Sequence, residues 1–286
     1  DNRVVMAAHR GGNDINMYNF KYNGTNSYNF GTTQIASTQH NCFPTIAYVN
    51  DDLVVYFYSR RTGTSFDRYI NARLVNVAQI NSPFIESTAT EYDYGFERIS
   101  QSPDCAVGRG ADDRDTFGIY VFNDTGDYKG RAVPFKVTFN QDFVNSNSVE
   151  ILPSGTSVLA QTNQSRRSDV ANAYRTTVHV APLGTDPTDS TKFLFFCITS
   201  PGYGWIIRQD TSTGALSTVI EDELEAVASS NCFRRADFHF FGVPGNGSRG
   251  MVAGGQEFAK VAGIIAGEYG PVSGDMYVGS AALLFG

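Results

Sequence analysis

Apolar residues in this chain come in short bursts. Runs such as "TIAYVN" (45–50), "LVVYFYSRR" (53–61), "FGIYVFND" (117–124) and "FLFFCIT" (193–199) are rich in Val, Ile, Phe and Tyr. These are the side chains that suit a pleated strand. Between them lie clusters of Gly, Asn, Asp, Ser and Pro, which reverse the chain. Helical periodicity is scarce, and its best window is the short "IEDELEAVASS" (220–230). The pattern predicts an all-β protein of many short strands.

The bursts pair into hairpins that recur. The units are "FPTIAYVNDDLVVYFYSRR" (43–61), "YGFERISQSPDCAVGRG" (94–110), "NSVEILPSGTSVLAQTNQSRR" (147–167), "KFLFFCITSPGYGWIIRQD" (192–210) and "ADFHFFGVPGNGSRGMVAGG" (236–255). A sixth arises when the closing "SAALLFG" (280–286) is joined to the opening "RVVMAAHR" (3–10). The second strands end near Arg10, Arg60, Arg109, Arg166, Arg208 and Gln256, a mean period of about 48 residues. That period falls in the range of propeller blades. Third strands follow at 15–23, 69–77, 116–124, 174–183 and 262–270. The expectation is a single domain, 1–286, folded as a six-bladed β-propeller and closed by pairing of the N- and C-terminal strands. Closure removes the bare sheet edges of the first and last blades. A β-sandwich and a propeller of five or seven blades are the alternatives.

Composition narrows the partners. The net charge of −7 and the sequence pI of about 5.1 argue against a general nucleic-acid binder. No run of 18 apolar residues is present, so no membrane-spanning helix is expected. Cys42, Cys105, Cys197 and Cys232 form no CxxC motif and lack zinc-finger spacing with His9, His40, His179 and His239. They read as small apolar core residues, with one disulfide open in an oxidising compartment.

One stretch, "TFGIYVFNDTGDYKGRAVPFKV" (116–137), resembles the outer half of repeats in bacterial and phage surface propellers. Another, "RVVMAAHRGGNDINMYNFKYNGTNSYNFGTTQI" (3–35), resembles repeats of phage tail-fibre propellers, with an apolar strand, a Gly-Gly-Asn turn and a Gly-Thr pair. The resemblance implies extracellular binding, on a virion surface or as a secreted adhesin, often to glycans. It assigns no role to any single residue.

Candidate chemistry centres on arginine. Arg10, Arg60, Arg61, Arg109, Arg166, Arg167 and Arg208 fall near the ends of the expected second strands, which a propeller would gather on one face. Arginine suits carboxylate and phosphate because its planar fork donates two parallel hydrogen bonds. Tyr18, Tyr58, Tyr174 and Tyr203 lie near the same loops, with rings suited to stacking on sugars. The competing reading pairs these arginines with loop acids such as Asp14, Asp67, Asp113, Asp115, Asp169 and Asp210. Oxygen ligands for calcium are offered by Asp112, Asp113 and Asp115, or by Asp124 and Asp127, without an EF-hand pattern; otherwise no cofactor is expected.

A sialidase-like glycoside hydrolase needs an arginine set for a carboxylate, a tyrosine nucleophile and acidic helpers. The Asp-box outline of such enzymes is missing, and so are a nucleophile elbow and a P-loop. The expectation is therefore a non-enzyme: an extracellular module that recognises an anionic or glycan ligand. The alternatives are an assembly propeller contacting sibling subunits and a sialidase-like hydrolase.

Overall fold

A computed structural model of the chain describes residues 3–10, 14–22, 28–36, 40–50, 52–61, 67–79, 83–85, 87, 90–93, 103–110, 115–124, 129–139, 147–153, 157–161, 178–199, 203–223, 233–241, 260–269 and 276–284. These residues form twenty antiparallel strands in five sheets. Sheet I holds β1 (Arg3–Arg10), β2 (Asp14–Tyr22) and β3 (Tyr28–Ala36). Sheet II holds β4 (His40–Asn50), β5 (Leu53–Arg61), β6 (Asp67–Asn76), β7 (Phe84–Ile85) and β8 (Thr90–Asp93). Sheet III holds β9 (Asp104–Val107), β10 (Asp115–Asp124), β11 (Lys129–Thr138), β12 (Ser148–Ile151) and β13 (Ser157–Gln161). Sheet IV holds β14 (Val178–Asp186), β15 (Asp189–Thr199), β16 (Tyr203–Asp210) and β17 (Leu216–Glu223). Sheet V holds β18 (Phe233–Phe241), β19 (Lys260–Tyr269) and β20 (Met276–Leu284).

Consecutive sheets pack face to face, and the alternation of side chains explains how. On β5, Leu53, Val55 and Phe57 point to sheet III, while Val54, Tyr56 and Tyr58 point to sheet I. On β10, Tyr120 and Phe122 join the first of these cores, while Ile119 and Val121 meet Phe193, Phe195 and Trp205 of sheet IV. A strand buried on both faces needs an unbroken apolar run, which is why "LVVYFY" and "FGIYVF" do not alternate with polar residues. Rings lock the II–III interface: Phe57 stacks on Tyr120 at 4.8 Å and tilts against Phe135 at 4.9 Å.

The first strands of successive sheets, β1, β4, β9, β14 and β18, lie next to one another. Asp104 at the start of β9 binds both neighbours. It accepts bonds from Thr45 Oγ1 of β4 (3.2 Å) and from the Val180 amide of β14 (3.0 Å). Such an array of antiparallel sheets around their first strands is propeller-like.

Three expectations need correction. The described residues form five sheets, not six. The stretch 147–167 read as an inner hairpin, but β12 and β13 both pair with β11, as one interrupted edge strand. Leu152 continues that edge by donating to the Pro134 carbonyl at 2.8 Å. Sheet II repeats the device: β7 and β8 both pair with β6, and Ser87 Oγ accepts the Leu74 amide between them. A Pro-Ser-Gly break in one strand thus has the composition of a hairpin turn. Second, the terminal strands do not share a sheet. β1 pairs with β2 and β20 with β19, without a partner common to both. Third, four of the five expected third strands are not third: β2 (overlapping 15–23), β10 (116–124) and β19 (overlapping 262–270) are the second strands of sheets I, III and V, and β14 (overlapping 174–183) opens sheet IV.

Candidate functional site

The strand order separates the arginines. First and third strands of a sheet run one way, and second strands run the other. Arg10 ends β1, Arg109 follows β9, and Arg208 lies near the end of the third strand β16. Arg60 and Arg61 end the second strand β5, at the opposite end of the array. Neighbouring sheets keep this sense: Asp104 at the start of β9 meets Val180, and a side chain grown on Gly108 at its far end would strike Phe193 and Phe195. The expected single ring of Arg10, Arg60, Arg61, Arg109 and Arg208 on one face is therefore corrected to two ends. Arg166, Arg167 and Tyr174 lie outside the described residues, as do the side chains of Arg10, Arg61 and Tyr203. Arg109 is exposed.

On sheet IV an arginine and a lysine meet acids. Arg208 Nη2 lies 2.6 Å from Asp186 Oδ2, a carboxylate whose side chain is only 2% exposed. Lys192 bonds Asp210 beside it. Burial opposes the charge on Asp186, but bonds from Thr188 and the Arg208 charge outweigh it and hold the carboxyl below its usual range. Asp210 is held lower still, chiefly by Lys192 and by Ser212. Both are turn networks held by internal ion pairs and hydrogen bonds, with Asp186 Oδ2 and Arg208 Nε buried without a hydrogen-bond partner among the described residues. Of the calcium candidates, Asp115 bonds Lys136 and Thr138 Oγ1. No group of three metal-ligating side chains occurs among the described residues. Asp112, Asp113 and Asp127, and the side chain of Asp124, fall outside them.

The richer cluster lies on sheet II, on the face turned toward sheet I. Alternation puts Tyr56, Tyr58 and Arg60 of β5 on this face, and register sets them opposite Arg73, Asn71 and Tyr69 of β6. Glu91 of β8 joins them opposite Asn71. Arg60 grips Glu91 with its fork, Nε to Oε2 at 2.6 Å and Nη2 to Oε1 at 2.5 Å. The Arg60 guanidinium also sits over the Tyr69 ring, 4.4 Å from its centroid. A bulge beside it re-aims the strand: register shifts between Cys42 and Thr45, with Phe43 in the left-handed region at φ 51°. Bulges of this kind concentrate next to functional sites.

Tyr58 is 3% exposed, so the expectation that its ring stacks openly on a sugar is corrected. Its phenol serves the cluster from within. Burial pushes its pKa up; a hydrogen bond and the charge of Arg73 pull it partly back, Glu91 raises it, and Arg60 lowers it. The hydroxyl therefore stays protonated at neutral pH. Asn71 is 3% exposed, yet its Nδ2 finds no acceptor among the described residues, and neither does the buried Nε of Arg73. Buried donors left without acceptors cost about 1–3 kcal/mol each. The cluster thus sets unused buried donors beside two guanidinium groups, one phenol and one carboxylate. Tyr18 lies elsewhere, on the far face of sheet I, where it stacks with Phe30. Arg73, Asn71, Tyr69 and Glu91 were not singled out from the sequence. The alternation in "YINAR" (69–73), a mirror of "YFYSR" (56–60), was the available signal.

No protein family and no curated protein matches the sequence. Among solved structures, a glycoside hydrolase family 32 β-fructofuranosidase from Bombyx mori aligns over 95% of this chain, with TM-score 0.43 and 13% identity. The chain spans 54% of that protein, about half its length. A periplasmic gluconolactonase from Pseudomonas aeruginosa aligns over 96% of this chain and 84% of its own, with TM-score 0.38 and 10% identity. Neither of these two is a phage fibre, and no family model supports that part of the resemblance. Both bear the names of enzymes, where the sequence reading expected a non-enzyme; at this identity the likeness is one of fold alone.

Proposed function

We propose that this protein acts on carbohydrate, binding an acidic sugar at the sheet II cluster and cleaving its glycosidic bond. The observation that carries the reading is the pair of buried donors, Arg73 Nε and Asn71 Nδ2, without acceptors beside a second guanidinium. A sugar carboxylate supplies two acceptor oxygens and the opposite charge. Arg73 takes one oxygen and Asn71 the other or a neighbouring ring substituent, beside the Arg60 guanidinium that grips Glu91. The set matches in kind what sialidase-type chemistry requires: arginines, a tyrosine and a carboxylate helper. In this reading the Tyr58 oxygen attacks the anomeric carbon as Glu91 takes its proton. The glycosidic bond breaks and the aglycone oxygen takes that proton from Glu91; water then releases the sugar and restores the phenol. The Arg73 charge offsets part of the cost of a buried phenolate.

Acidic sugars of this class are displayed on cell surfaces and in secreted polysaccharide, so the proposal includes work outside the cell. The test is calorimetry with N-acetylneuraminic acid and turnover of a fluorogenic sialoside. Wild type should bind the acid and release the fluorophore. Arg73→Ala should weaken binding by roughly 10- to 150-fold, the value of a charge-assisted bond of about 1.5–3 kcal/mol. Glu91→Gln should keep binding and lose turnover. Failure of wild type to bind acidic sugars would remove the site. Binding without turnover would remove the catalytic half.

A further inference from the structure

The outer edges of the sheets are guarded unequally. An edge strand presents unpaired amides and carbonyls, and folded proteins blunt it with breaks, bulges or charge. Sheet II ends in two short pieces, β7 and β8, the second carrying Glu91 and Asp93. Sheet III ends in β12 and β13, also split, with Glu150 on the first and a register shift along the second. Sheet IV ends in β17, which carries Glu221, Asp222 and Glu223 and a register shift near its middle. Sheet I ends differently. β3 is one unbroken strand, Tyr28–Ala36, without Asp, Glu, Lys, Arg or His, and among the described residues no strand pairs with it besides β2. Its one register shift lies beside Ile35, so Tyr28–Gln34 runs regularly against β2. Asn29, Thr32 and Gln34 are exposed, and Phe30 is 47% exposed.

We propose that β3 is a docking edge for a second copy of this chain, the two strands running antiparallel about a two-fold axis at Gly31. Backbone hydrogen bonds then join the two copies of sheet I into one. This register uses the whole regular stretch: Tyr28 stands opposite Gln34 of the second copy, Asn29 opposite Thr33, and Phe30 opposite Thr32. Charge selects the occupant. About a two-fold axis each residue near the centre neighbours its own like, so a self-pairing edge must be free of charge there. β3 meets that condition where β8, β12 and β17 do not. An uncharged edge also offers a charged foreign segment no counter-ion. The side chains fit the register: Phe30 against Thr32 is an aromatic and β-branched pair, formed twice by symmetry, and such pairs favour strand association. β20, the outer strand of sheet V, is likewise uncharged, but its centre reads Gly-Ser-Ala-Ala over 279–282, residues that pack a strand poorly. The proposal is independent of the acidic-sugar reading of sheet II.

Sedimentation equilibrium of the full chain tests this. One strand pair buries little area, so wild type should form a weak dimer whose population rises with concentration. Thr32→Lys and Thr32→Glu each bring like charges together beside the axis and should each weaken the dimer about tenfold or more. Thr32 is exposed, so both variants should melt close to wild type at low concentration. An equimolar mixture of the two should regain association as a heterodimer, which misfolding of either variant would prevent. Arg73→Ala should leave the dimer unchanged. Three results would overturn the proposal. They are a wild type that stays monomeric at millimolar concentration, a dimer indifferent to both Thr32 variants, and a mixture that associates no better than either variant alone. The second would move the contact elsewhere, with β20 the next edge to test.

Discussion

Truncating Phe57 to alanine tests the contact between sheets II and III. Its side chain is fully buried, between the Tyr120 ring at 4.8 Å and the Phe135 ring at 4.9 Å. Removing a buried phenyl ring costs about 3–5 kcal/mol, because the cavity collapses only in part. Two ring contacts vanish as well, each worth about 0.5–1.5 kcal/mol beyond area burial, which favours the upper half of that range. In a domain of this size each kcal/mol lowers the melting temperature by about 2–4 °C, so the drop should be about 6–20 °C. Urea titration followed by circular dichroism reads the same loss as a lower midpoint at unchanged slope. A double-mutant cycle with Tyr120→Leu isolates the inter-sheet term, which should be about 0.5–1.5 kcal/mol. A loss under about 1 kcal/mol, or a coupling of zero, would refute the reasoning, because Phe57 would then not stand between two sheets.

Other consequences are as direct. Gly118→Ala would place a methyl group 2.4 Å from Phe135 Cζ and 2.5 Å from the Ala106 carbonyl oxygen. Backbone cannot yield there, so urea midpoints should report a loss of about 1–3 kcal/mol. Asp186 and Asp210 both have folded carboxyls held below the usual range, so their stabilisation is complete above pH of about 4 and is lost as pH falls through the folded values. Asp186→Asn should flatten the fall of the urea midpoint between about pH 4 and pH 2; an unchanged profile would dismiss that pair. Burial pushes the Cys105 and Cys197 thiols well up. Peptide mapping after brief alkylation of native protein should find both unlabelled, and both labelled in denaturant.

The two-sided burial of the central strands was legible, because "LVVYFY" and "FGIYVF" are apolar at every step. The hairpin of β4 and β5 and that of β15 and β16 were legible as well, from their turn residues. The sheet count was not. "ILPSG" breaks an edge strand with the same residues that would reverse a hairpin, and only the pairing of β12 and β13 with β11 distinguishes them. Arginine equivalence failed for a related reason: distance along the chain does not say whether a strand is first, second or third in its sheet, and that parity decides the end it reaches. Arg60 was found as a strand-end cation, but its partner Glu91 lies 31 residues on, on an edge strand of four residues. Tyr58 was found as an aromatic near a loop, while its burial depends on which face of β5 sheet I covers.

The sharpest measurement is a crystal structure of the protein soaked with N-acetylneuraminic acid. The account predicts the sugar carboxylate within hydrogen-bond distance of Arg73 Nε and Asn71 Nδ2, with the Arg60–Glu91 pair beside it. An unoccupied sheet II cluster at saturating sugar, or a carboxylate held by other residues, would contradict it.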